Sequence, residues 1–131
     1  MYQALLYPAL FIGGGIFGWA VDMAYRSLVA GRYAPGTLVP FFSIIYGIAA
    51  IMLYMLFRFG TMPFLQSIIV GTILCVGLEL VSGALSLSLL RYRLWDYSAS
   101  PFNFYGFIDL QHTFYWFILT VLYRSFFGLL K

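Results

Sequence analysis

The sequence predicts an all-α integral membrane protein, with four transmembrane helices in an up-and-down bundle that forms a single domain over residues 1–131. Three observations carry this reading. Only 8% of the residues are charged and 63% are hydrophobic, whereas a water-soluble domain has roughly 25% charged residues to coat its surface. The mean hydropathy is +0.95. The apolar residues fall into runs at about 2–29, 38–57, 64–90 and 106–130, each near the roughly 20 residues that cross a hydrocarbon layer as helix. The runs lack β-barrel alternation, and helices satisfy their own backbone groups in lipid, so helix is the expected spanning form.

The first run opens MYQALLYPALFIGGG, with no basic residue ahead of the apolar stretch. It is too long for the apolar part of a signal peptide and reads as a membrane helix. Gly14 and Gly18 make a small-xxx-small pair that permits close helix approach. Packing inside the bundle is its favoured use, and a homodimer through Gly14/Gly18 is the alternative. Asp22 and Arg26, four residues apart near the end of this run, are spaced to pair. Turn-forming residues follow, from Gly31 through Pro35 and Gly36.

The second run places Tyr46 near its start and stops at Arg58, Gly60 and Pro63. The third contains the lone Cys75, which excludes a disulfide framework and a CxxC motif. It also carries Glu79, with Ser82 and Ser86 on the same face. Glu79 lies about 15 Å below the end of its helix, near the bilayer midplane. A charge there costs about 2.5 kcal/mol or more, so the group must face the interior, pair, or stay protonated. The third loop, 91–103, holds Trp95, Asp96, Tyr97, Ser98, Ser100, Pro101 and Asn103. The last run brings Asp109, Gln111 and His112, with Asp109, His112 and Trp116 sharing a face.

In an up-and-down bundle the end of helix 1, the start of helix 2, the end of helix 3 and the start of helix 4 share one side. The polar residues are therefore expected to converge in a pocket open to one leaflet. Asp22, Arg26, Glu79, Asp96, Asn103, Asp109 and His112 line it, and Tyr46, Trp95 and Tyr97 form its aromatic walls. The expected use is binding or moving a small or lipid-like molecule, with Glu79 as the proton- or cation-responsive group. Two rivals stand beside it: an enzyme acting on a lipid or isoprenoid through paired carboxylates, and a scaffold or partner subunit without a ligand. Each residue also has a plainer reading. Asp22 and Arg26 form a structural ion pair, Glu79 an interhelical hydrogen bond, His112 a packing contact, and Asp109 a helix N-terminal anion.

Other function classes are excluded or reduced. The net charge of +3 is dispersed along the chain, which is no nucleic-acid footprint, and anionic lipid headgroups are its natural counterpart. With one His and one Cys no metal site is expected, and no cofactor is implied. Phosphate-binding glycine loops, GxSxG and HExxH are absent. Arg26, Arg32, Arg91 and Arg93 flank one face and Arg58, Arg124 and Lys131 the other. That is a weak positive-inside bias, and both orientations stay open.

Leu94-Trp95-Asp96-Tyr97-Ser98, followed by Pro101-Phe102-Asn103 and Gly106, resembles the signature of the family called putative ABC-transporter type IV (CmpB-like), which includes the small eukaryotic proteins named transmembrane protein 229. The similarity extends through Gly18-Trp19 with Asp22, the spacing from Pro35-Gly36 to Tyr46-Gly47, Glu79 before Gly83, and Trp116. It implies a membrane component of transport and a bacterial cytoplasmic membrane location. The chain departs from the pattern at Asp22, where Glu is usual, at Phe107, where a base is common, and at Ile44, where a proline precedes Tyr-Gly.

Overall fold

The structure, a computed structural model, describes residues 2–34 and 36–129. Pro35 and Lys131, used above for the first turn and the charge balance, lie outside the described residues. Four helices and no strand form among the described residues: α1 (Tyr2–Ala30), α2 (Ile44–Phe59), α3 (Phe64–Leu90) and α4 (Leu110–Leu129). The chain divides into two compact units, Met1–Ile51 and Met52–Lys131, with the boundary inside α2.

Among the described residues two segments are long and apolar enough to cross a membrane, Ala4–Ala30 and Phe64–Leu90, with mean hydropathies of 1.7 and 2.2. The apolar α2 has 16 residues, which at 1.5 Å per residue gives about 24 Å against a hydrocarbon thickness of about 30 Å. On α3 the side chains are arranged inside out. Leu65, Ile69, Ile73, Val81, Leu85 and Leu89 are exposed, whereas Ser67, Thr72, Glu79 and Ser86 are buried. Apolar groups turned outward over polar groups turned inward is the arrangement that lipid, not water, stabilises.

In the first unit, α1 ends at Gly31, whose φ of +65° supplies the left-handed residue that commonly stops a helix. The chain then runs back along α1. The Ala34 N–H donates to Ser27 Oγ at 3.0 Å, Gly36 lies against the Arg26 guanidinium, and the Ser43 N–H reaches the Gly15 carbonyl at 2.9 Å. From Ala30 back to Gly15 this return covers about 22 Å of helix.

Helix α2 therefore starts at Ile44, later than the apolar run that begins near residue 38. Pro40 sits at the second position of a turn closed by the Phe42 N–H and the Val39 carbonyl at 3.2 Å. Phe41 takes φ +60° at the third, the place a type II turn normally gives to glycine. Hydropathy counts these residues as apolar whether or not they are helical. Ser43 follows as the start of α2, its carbonyl accepting from the Gly47 N–H at 3.1 Å. A Cβ on Gly14 would lie 2.6 Å from Ala50 Cβ and 3.0 Å from the Tyr46 carbonyl, so the absence of a side chain there sets how closely α1 and α2 approach.

In the second unit, α3 and α4 pack together. The α3 stripe Ser67, Gly71, Cys75, Glu79, Gly83 is buried throughout, an i, i+4 row of mostly small residues suited to close packing. Helix α3 stops with Arg91 in the left-handed region (φ 64°), its N–H bonded to the Leu87 carbonyl. Helix α4 starts at Leu110, not near 106, because residues 104–108 form a tight turn. Tyr105 and Gly106 have φ of 52° and 72°, and the Phe107 N–H bonds to the Phe104 carbonyl at 3.0 Å. Two successive positive φ values mark the primed turn of a hairpin. Asp109 is consequently the cap of α4.

Candidate functional site

The site is assembled around Glu79. This carboxyl group is 7% exposed in the middle of α3, and each of its oxygens accepts a hydrogen bond from a different element. Tyr97 OH, on the loop after α3, donates to Oε1 at 3.0 Å. Trp116 Nε1, on α4, donates to Oε2 at 3.0 Å. A polar group buried at this depth is tolerable because both oxygens are satisfied.

Tyr97 continues the chain of contacts. Its ring stacks on His112, with centroids 3.9 Å apart and planes at 10°, and His112 Nδ1 lies 2.7 Å from Asp109 Oδ1. Asp109 caps α4 in the usual way for an aspartate, its Oδ1 accepting from the His112 backbone N–H at 2.6 Å. Its second oxygen, Oδ2, is buried without a hydrogen-bond partner. Burial opposes the charge on Asp109. The Ser100 hydroxyl, the His112 N–H and the His112 ring together outweigh it and hold its pKa below the ordinary value of 3.8.

The loop is knit by its own side chains. Asp96 accepts from the Ser98 hydroxyl and from the Ser98 N–H, which lowers its pKa, with Arg93 adding to the effect. Asn103 donates to the Ser98 and Ser100 carbonyls at 3.2 and 2.9 Å and accepts from the Gly106 N–H at 3.0 Å. Trp95 Nε1 donates to the Phe107 carbonyl at 2.9 Å. Arg93 donates to the Tyr105 carbonyl and lies over the Phe107 ring. Asp96, Asn103 and Trp95 thus shape the loop, and Tyr97 is the residue that carries it to Glu79.

Asp22, Arg26 and Tyr46 belong to the first unit. Arg26 Nε pairs with Asp22 Oδ2 at 2.8 Å, both side chains about a quarter exposed. Tyr46 packs its ring over Gly18, where a Cβ would lie 2.0 Å from the ring. The three described carboxylates of the second unit have separate partners: Glu79 has Tyr97 and Trp116, Asp96 has Ser98, and Asp109 has His112.

Trp116, which holds Glu79, is a residue of this cluster that is not among those expected to line the pocket. Its signal is its place four residues after His112 on one face of an otherwise apolar helix, together with an indole N–H that needs an acceptor when buried. Trp19, Tyr33, Thr37, Pro40 and Phe41 line a cleft in the first unit.

Helices with apolar surfaces turned outward, two of them long and apolar enough to span, and a buried, hydrogen-bonded carboxyl group define the class: an all-helical membrane protein. Within that class the chain belongs to the family described as Putative ABC-transporter type IV, whose family model matches residues 9–130. The match includes the Trp95–Ser98 and Pro101–Asn103 signature and both acidic positions within helices, Asp22 and Glu79. No match to the chain is found among curated proteins or among solved structures.

Proposed function

We propose that this chain is a transport-related membrane subunit of a bacterial cytoplasmic membrane, crossing the bilayer four times, that binds and helps to move a small or lipid-like molecule. Glu79 is its proton- or cation-responsive group. The observation that carries this reading is the three-element grip on Glu79, in which the loop (Tyr97) and α4 (Trp116) meet at one carboxyl group of α3.

The two donors answer a change at Glu79 differently. An indole N–H only donates, whereas a phenol OH can donate or accept. A proton arriving on Oε2 removes the Trp116 bond. A proton arriving on Oε1 reverses the Tyr97 bond without breaking it. Tyr97 passes the change to His112 by ring stacking and so to the Asp109 cap of α4. Charge at one buried site then biases the loop and the start of a helix, which is what a gated binding site requires.

The test compares wild type with Glu79→Gln, which preserves shape and removes the titration. In detergent, tryptophan emission followed across pH is expected to show a transition that Glu79→Gln abolishes, with helical content unchanged. In cells, Glu79→Gln and Asp22→Asn are expected to lose the phenotype that the wild-type gene restores to a deletion strain. Unchanged emission together with full complementation by both variants would end this reading.

A further inference from the structure

We propose that the aromatic cleft of the first unit holds the ammonium end of a zwitterionic phospholipid headgroup. The cleft encloses about 170 Å³ and is lined by Trp19, Tyr33, Thr37, Pro40 and Phe41. Trp19 projects from α1, and the other four residues come from the loop that returns along that helix. Trp19 and Phe41 meet edge to face, with centroids 5.1 Å apart and planes at 67°. Such a pair leaves ring face uncovered, and the faces of Trp, Tyr and Phe carry the negative side of the ring quadrupole. Three such rings around one small space is the chemistry that recognises an alkylammonium cation.

Two further observations point to an occupant. Phe41 is 64% exposed even with its contact to Trp19, so its ring is open to an occupant. The residues beside it, Leu38 and Val39, are also exposed, as is Tyr33 at 63%. The outer surface of this loop is therefore apolar and suited to the lipid interface.

Charge selects a lipid over a free cation. Exposed Arg32 adjoins Tyr33 in the chain, and Arg26 is already neutralised by Asp22 at 2.8 Å. A soluble ammonium ion entering the cleft would approach Arg32 uncompensated. A zwitterionic headgroup brings a phosphate with its ammonium, which gives Arg32 a partner. This site does not involve Glu79.

Native mass spectrometry of the full chain released from detergent tests the proposal. Dimyristoyl phosphatidylcholine and dimyristoyl phosphatidylglycerol are added at equal concentration, and choline chloride serves as competitor. Phosphatidylcholine is expected to be retained in preference. Phe41→Gly removes one wall at a position whose backbone glycine adopts freely, so the fold is kept. It should weaken phosphatidylcholine retention by about two- to thirty-fold and leave phosphatidylglycerol unchanged. Tyr33→Leu should act in the same direction. The proposal is overturned by equal retention of the two lipids, by undiminished preference in Phe41→Gly, or by choline chloride displacing the lipid at matched concentration.

Discussion

At the scale of single residues, the second unit depends on buried oxygens finding donors. Trp116→Phe removes the indole donor to Glu79 Oε2, and a lost hydrogen bond to a buried acceptor costs about 1–3 kcal/mol. Glu79→Gln and Trp116→Phe should therefore be non-additive, the double variant melting closer to the worse single variant than the sum implies. Thermal unfolding of the four proteins in one detergent measures the coupling. Asp109 gives a pH prediction. Its folded pKa is depressed below 3.8, so its share of stability is complete above the ordinary carboxylate range and is lost as pH falls through the depressed value. Asp109→Asn should flatten the fall in melting temperature between about pH 5 and pH 2. Glu79 is legible in the sequence because a lone acid in an apolar run must be explained. Its partners are less so, because periodicity relates residues within a helix and says little about which aromatic of another element arrives opposite.

At the scale of elements, run length and hydropathy find α3 well, because Pro63 and the left-handed Arg91 bracket it at the edges of the apolar run. They misplace the starts of α2 and α4, because apolar turn residues extend the run beyond the helix. Pro40 and the pair Tyr105-Gly106 are the local signals that correct them. The loop 91–109 depends on two glycines for different reasons. A Cβ on Gly83 would lie 2.9 Å from Phe107 Cδ1 and 3.1 Å from Trp95 Cζ2, rigid rings that cannot fold away, so Gly83→Ala should cost about 1–3 kcal/mol. Gly106→Ala combines a positive φ with clashes on Ser98 and Asp96. It should loosen the loop more, raising hydrogen exchange at the Tyr97 amide, which bonds to the Gly106 carbonyl. The signature Trp95–Ser98 announces a loop from sequence. That Asp96 and Asn103 serve its internal bonding is visible only once the chain is folded.

At the scale of the whole molecule, membrane residence follows from composition, and α3 supplies its sharpest check. Single cysteines at Thr61 and Ala99, which flank α3, should be labelled by a membrane-impermeant maleimide from opposite sides of sealed vesicles. Cys75 is fully buried and gives little background. Labelling of both from one side would remove α3 as a span. Helices α1 and α3 have a feature in common that no sequence repeat betrays: each is followed by a loop that turns back along its end and by a shorter helix.

That return of the loop along α1 bears on which bilayers suit the protein. With its first turns replaced by irregular chain, α2 offers only about 24 Å of helix, and non-helical backbone is tolerated at depth only where protein or water covers it. A thick bilayer would drown residues 38–43, whereas a thin one would leave them at the headgroups. The chain should therefore be more stable, and better inserted, in dimyristoyl than in longer-chain vesicles, a sorting by thickness set by where Pro40 stops a helix from beginning.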